Sequence, residues 1–170
     1  MNGDDARRDF AAPRLTGEHA GLVLDHLDPL DEDDRRVLIE AEHPEWRAAL
    51  DADLEVVDDA GREVNPRLHI TLHEVVANQL LADDPPGTWR TAQRLTGLGY
   101  ERHEVLHMLA SVVTEGLHAA MTGTPLDPAE SQRRLAALPD SWESQRAVER
   151  TPQPPPRNRA ERRARRRRHR

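Results

Sequence analysis

N-P-R-L-H-I-T-L-H-E-V-V-A-N-Q-L, residues 65–80, reads as a helix from end to end. Asn65 is a strong N-cap, and Pro66 suits the first helical position, where its missing N–H costs nothing. Leu68, Leu72, Val75, Val76, Gln79 and Leu80 recur at helical spacing, which predicts an inner stripe on a helix running to about Ala82. The turn D-D-P-P-G at 83–87 stops it. Two histidines, His69 and His73, stand four residues apart on this helix, so their imidazoles project from one face about 6 Å apart along the axis.

The same spacing recurs downstream. A short helix from about Pro86 to Leu95, with Trp89, Ala92 and Leu95 inward, leads to Gly97 and Gly99. Beyond them the longest helix of the chain is expected from about Glu101 to Met121, with Leu106, Leu109, Ala110, Val113, Leu117 and Ala120 as its stripe. His103 and His107 lie near its start in H-E-V-L-H, the H-E-x-x-H pattern in which Glu104 would stand beside a bound metal as base for an activated water. Asp127-Pro128-Ala129-Glu130 predicts another capped start, with Glu130 completing a capping box, on a helix carrying Leu135, Leu138 and Trp142.

Upstream the pattern is weaker. Residues 1–15 are polar and aperiodic and predict a disordered leader. Helices are expected over Leu22–Leu27, over Asp31–Glu42, and after Pro44 through Trp46, Ala49 and Leu50, with residues 51–64 as a loop. The whole predicts an all-α bundle of about five to six helices: leader 1–15, helical domain 16–147, and a disordered Pro/Arg-rich tail 148–170.

Composition narrows the chemistry. With no Cys, a disulfide framework, a thiolate metal site and a cysteine nucleophile are all excluded, and any metal must be held by imidazole and carboxylate. No apolar run is long enough to span a bilayer and no signal-like segment opens the chain, so a cytoplasmic protein without membrane partners is expected. The net charge of −7 hides an asymmetry: residues 151–170 hold nine Arg and one Glu, leaving about −15 on the body and +8 on the tail. A body that acidic cannot bind nucleic acid as a whole. The arginines of residues 157–170, above all Arg162, Arg163, Arg165, Arg166, Arg167 and Arg168, could track phosphates, or could simply pair with the acidic body.

The stretches N-P-R-L-H-I-T-L-H-E-V-V-A-N-Q-L, D-D-P-P-G-T-W and G-Y-E-R-H-E-V-L-H-M-L, taken in that order, resemble the bacterial family of domain of unknown function 1841 over about residues 40–122. The resemblance implies a small helical bacterial protein. It carries no metal or reaction with it.

His69, His73, His103 and His107 are therefore the candidate metal ligands. If their helices meet, four imidazoles could close a tetrahedral, structural site, or three could hold zinc with one position open for water. The bland alternative is that these histidines only bond to neighbouring carboxylates. Zinc is the first expectation, and ferrous iron and nickel suit the same donors. A zinc-peptidase reading lacks a third ligand on the same helix, since Glu115 lies about 12 Å from His107 along the axis. A di-iron reading would use Glu104-x-x-His107 and Glu40-x-x-His43, but Pro44 leaves His43 at a helix terminus, which counts against inward projection. The function expected is a helical protein with a four-histidine divalent-metal site, structural or hydrolytic; the alternative is a nucleic-acid or protein-interaction module acting through the basic tail.

Overall fold

Asn65 opens the central helix as its sequence predicts: its Oδ1 accepts from the Leu68 N–H at 2.9 Å. In the computed structural model, which describes residues 3–57 and 63–150, this helix is α4, Pro66–Ala82. It ends at Asp83, in the left-handed region at φ 51°. The Asp83 carboxylate turns forward to accept from the Gly87 and Trp89 N–H groups at 3.2 and 3.0 Å, so one residue ends α4 and starts α5, Thr88–Gly97. α6 runs over Arg102–Met121.

The described residues fall into two units, one ending at Pro139 and one beginning at Asp140. The first is mostly helical. Before α4 come α1 (Gly3–Ala11), a two-stranded hairpin β1 (Glu18–His19) and β2 (Leu22–Val23), a 3-10 turn at Leu24–His26, and α2 (Glu32–Ala41). A second 3-10 turn, Pro44–Trp46, feeds α3 (Arg47–Ala52), and β3 (Val56–Val57) pairs antiparallel with β4 (Glu63–Val64). After α6, α7 (Pro128–Ala136) completes the unit. α4 packs against α1, α2 and α6, and α6 also against α5 and α7. Between them Leu38 and Ile39 of α2, Ile70, Val76 and Leu80 of α4, Leu95 of α5, and Val105, Leu106, Met108 and Leu109 of α6 are buried. Each such side chain contributes about 1.5–3 kcal/mol by leaving water. The second unit is represented by α8, Asp140–Arg150, where Arg146 lies over the Trp142 ring at 5.5 Å.

Several expectations are corrected. The leader expected over residues 1–15 contains α1, whose Ala11, with the adjoining Ala12, is buried and whose Phe10 meets Trp89 edge-on at 5.6 Å. The helix expected over Leu22–Leu27 is instead a strand and a 3-10 turn, because Gly17 and Gly21, both at positive φ, turn the chain back on itself. Part of the loop expected over 51–64 is the β3–β4 hairpin. The helix expected from Asp127 through Trp142 is split by Pro139, which cannot continue it. With that break and the addition of α1, the described residues hold eight α-helices, more than the five to six expected. Asp127 does cap α7, accepting from the Glu130 N–H at 2.7 Å, but the Glu130 carboxylate pairs with Arg133 and Arg134 instead of completing the box.

The largest correction concerns the face of α4. Leu68, expected inside, is 55% exposed, and the buried stripe is Pro66, Ile70, His73, Val76, Ala77 and Leu80. On α6, Leu106, Leu109 and Ala110 are buried as expected, whereas Leu117 is 53% exposed and Ala120 is exposed. The arginine block at 162–168 lies outside the described residues. No helix among the described residues is long and apolar enough to cross a membrane.

Candidate metal centre

Rotating the α4 stripe onto Ile70 and Val76 turns His73 into the core, at 2% exposure, and His69 beside it, half-buried. α6 lies against this face of α4 and presents His103 and His107 from its first two turns, both half-buried. All four expected histidines meet. Ring centroids lie 4.4 Å apart for His69 and His73, 4.5 Å for His103 and His107, 4.9 Å for His69 and His107, and 5.0 Å for His73 and His103.

A fifth histidine completes the cluster. His43 follows α2 at the entry to the Pro44 turn and is 3% exposed. Its ring lies 4.8 Å from His69, 5.4 Å from His73 and 5.0 Å from His103. Two sets of bonds carry it there. Arg35, buried, donates to the Pro29 carbonyl at 2.9 Å and to Asn78 Oδ1 at 2.6 Å, and Arg36 donates to Glu74 at 3.0 Å, fixing α2 along α4. Arg102, next to His103, pairs with Glu42, next to His43, and donates to the Phe10 carbonyl at 2.8 Å. Trp46, one 3-10 turn on, stacks on His43 at 4.6 Å with planes 7° apart and meets His69 edge-on at 4.6 Å. Glu40-x-x-His43 is a sequence signal for His43, and Pro44 counts against inward projection. In fact the proline starts the turn that closes Trp46 over the ring.

His43, His69, His73 and His103 each offer one ring nitrogen, and these four atoms lie within 4.8 Å of one another. Ligand nitrogens about 2.0–2.1 Å from a zinc ion in a tetrahedron are about 3.3–3.4 Å apart, so modest convergence would bring these into range. His107 is outside that set of four, yet its Nε2 lies 3.0 Å from His103 Nε2 and 3.4 Å from His69 Nε2. Glu104, expected as a base, sits half-buried in the first turn of α6 and is also outside the four.

The electrostatics favour neutral rings at His69, His73 and His103. Burial, and then the neighbouring His107, His43 and His103, hold His69 down at about 3. Burial and the other four rings hold His73 at about 2. His103 is lowered by burial and by His43. A neutral imidazole offers one lone pair, the form that binds metal.

The hydrogen-bond accounting singles out the same place. His73 Nδ1 and Nε2 and His43 Nε2 are buried nitrogens without a partner. Each such orphan costs on the order of 1–3 kcal/mol. His43 Nδ1 is 3.4 Å from Glu45 Oε1, a partner that would hold the proton on Nδ1 and direct the Nε2 lone pair inward.

A family model described as domain of unknown function (DUF1841) matches residues 6–137. The chain belongs to that family. The DUF1841 match begins within α1 and ends just past α7, wider than the 40–122 resemblance, so it takes in the supposed leader and all five clustered histidines. No curated protein and no solved structure matches the chain.

Proposed function

We propose that this DUF1841 domain is a divalent-metal-binding protein whose ion is held by His43, His69, His73 and His103, joining the end of α2 to α4 and α6. The observation that carries the reading is the pair of fully buried rings, His43 and His73, with three orphan nitrogens between them, inside a group of four convergent ligand atoms. Histidines serving only as core packing would be expected to find acceptors for their N–H groups. His73 has none, although carboxylates are abundant elsewhere in the chain.

Zinc is the first candidate, because neutral imidazoles and four donors suit it; ferrous iron and nickel accept the same set. When bound, the ion would supply Lewis acidity to a water or small ligand at any remaining position. Glu45 orients His43, Trp46 covers the outer face of His43 and His69, and Arg102 with Glu42 fixes the spacing between His43 and His103. Glu104, in the first turn of α6 beside His103, stands in this reading as the base if the centre is hydrolytic.

The test is metal content by elemental analysis of the full chain purified without an affinity histidine tag. About one ion per chain is expected, lost in a His43→Ala, His73→Ala double variant and kept in His118→Ala. No uptake after incubation with zinc, ferrous iron or nickel, or equal uptake in the double variant, would overturn the reading. The basic tail is separable: nine Arg in residues 151–170 support phosphate contact, and deleting them should abolish salt-sensitive RNA or DNA retention with metal content unchanged.

A further inference from the structure

His107 stands outside the four nitrogens of the proposed centre, yet it is within ligand spacing of two of those rings. Its Nε2 lies 3.0 Å from His103 Nε2 and 3.4 Å from His69 Nε2. Donors about 2.0–2.1 Å from a shared ion stand about 3.0 Å apart at right angles and about 3.3–3.4 Å apart in a tetrahedron. Both spacings at His107 already fall there, whereas the inner four nitrogens are only within 4.8 Å of one another. His69 and His103 therefore belong to two overlapping donor sets, an inner one with His43 and His73 and an outer one with His107. In the metal-free protein each contact joins a proton on one ring to a lone pair on the other. An ion in the outer set takes all three lone pairs, and each neutral ring keeps its single proton, moved to Nδ1 by way of water where it stood on Nε2.

Burial puts the two sets in order. His43 lies under the stacked Trp46, and His73 shares its stripe with Ile70, Val76 and Ala77, none of which is exposed. His69, His103 and His107 are only half-buried and form the side of the cluster nearer to water. Stripping a charge of its water before a partner replaces it is costly, so an ion bound for His73 travels most easily where donors take over from water in steps. The outer set supplies three such donors, two of which the inner set then keeps.

We propose that His69, His103 and His107 form an outer metal position through which a divalent ion passes to and from the buried set, His107 being a ligand there and not in the resting centre. This rests on the metal reading above and adds to it the route by which the ion is exchanged. A group that binds the ion only in passage lowers the barrier equally in both directions. Removing it slows uptake and release by one factor and leaves the dissociation constant where it was.

The probe is cobalt(II), mixed rapidly with the untagged, metal-free full chain and followed by its visible absorption; release is followed after adding excess chelator. Elemental analysis at equilibrium should find one cobalt per chain. His107→Ala, and His107→Leu, which fills the space without a donor, should each slow uptake and release about tenfold or more, with the dissociation constant within about twofold of the unaltered chain's. His118→Ala should change neither rate. Unchanged rates in both His107 variants would put the route elsewhere, overturning this inference and leaving the metal reading intact. Weaker binding through faster release would make His107 a ligand of the resting centre and overturn its assigned role. A second cobalt on the unaltered chain, a result that needs no variant, would mean that two positions fill together and not in turn, which also overturns the inference. No cobalt on the unaltered chain would bring down both readings.

Discussion

The two ends of α6 carry the same spacing, Glu104-x-x-His107 and Glu115-x-x-His118, and have little else in common. At the first end, Val105, Leu106, Met108 and Leu109 are buried, α4 covers one face, and His107 joins four other rings. At the second, Leu117 and His118 are exposed, Met121 is 79% exposed, and Glu115 pairs with Arg134 of α7. His118 lines an open groove with Thr114, Ala119 and Leu126 and meets no second histidine among the described residues. Spacing along a helix brings two groups onto one face; only packing against other elements withdraws water from them and supplies the third and fourth donors. The difference between the ends is a difference of neighbours.

The largest consequence should appear on adding metal. A ligand that binds only the native state at about a thousand times its dissociation constant stabilises by about 4 kcal/mol, or a rise in Tm of about 10 °C for a chain of this length. Thermal unfolding with zinc, and again with chelator, should show such a shift for the unaltered chain and for His118→Ala, and none for the double variant of His43 and His73. An equal shift in all three would erase the contrast between the ends.

Packing alone gives the next effect. Leu109, 1% exposed, should cost about 3 kcal/mol on truncation to alanine, whereas Leu117, 53% exposed, should cost under about 0.5 kcal/mol. Urea unfolding of the two variants without metal measures the comparison independently of the ion. Similar losses would mean that the exposed half of α6 is covered in solution.

Much of this was legible beforehand. The Asn65 cap, both long helices and both histidine pairs follow from periodicity and turn chemistry. The buried face of α4 did not, because a stripe built from Leu68, Leu72 and Val75 leaves His69 and His73 out; counted as inward residues, they fall into step with Pro66, Ile70, Val76 and Leu80. His43 was hidden for another reason. Its place depends on Arg35 reaching Asn78, Arg36 reaching Glu74 and Arg102 reaching Glu42, contacts 38 to 60 residues apart in sequence that no local pattern encodes. α1 was missed because nine residues with Phe10 as their one large apolar side chain show no periodicity, and its burial comes from α4 and Trp89.

The pH dependence is the effect most specific to the cluster end. His73 is held at about 2, against an ordinary value near 6.5, chiefly by burial and then by the surrounding rings. Below pH 6.5 the unfolded chain therefore takes up a proton at this position that the native chain refuses. The metal-free native state should lose about 1.4 kcal/mol per pH unit on this account as pH falls from 6.5 toward 2, with no contribution above 6.5. His69, held at about 3 and less deeply buried, adds a smaller loss of the same sign between pH 6.5 and 3. Urea midpoints of the chelated protein at pH 7 and pH 5 measure the sum, and His73→Leu, which fills the space without titrating, should reduce it. His118→Leu should leave the pH dependence as it was. If the two variants had the same pH dependence, the five rings would not be sharing a water-poor site, and the two ends of α6 would differ in sequence context alone.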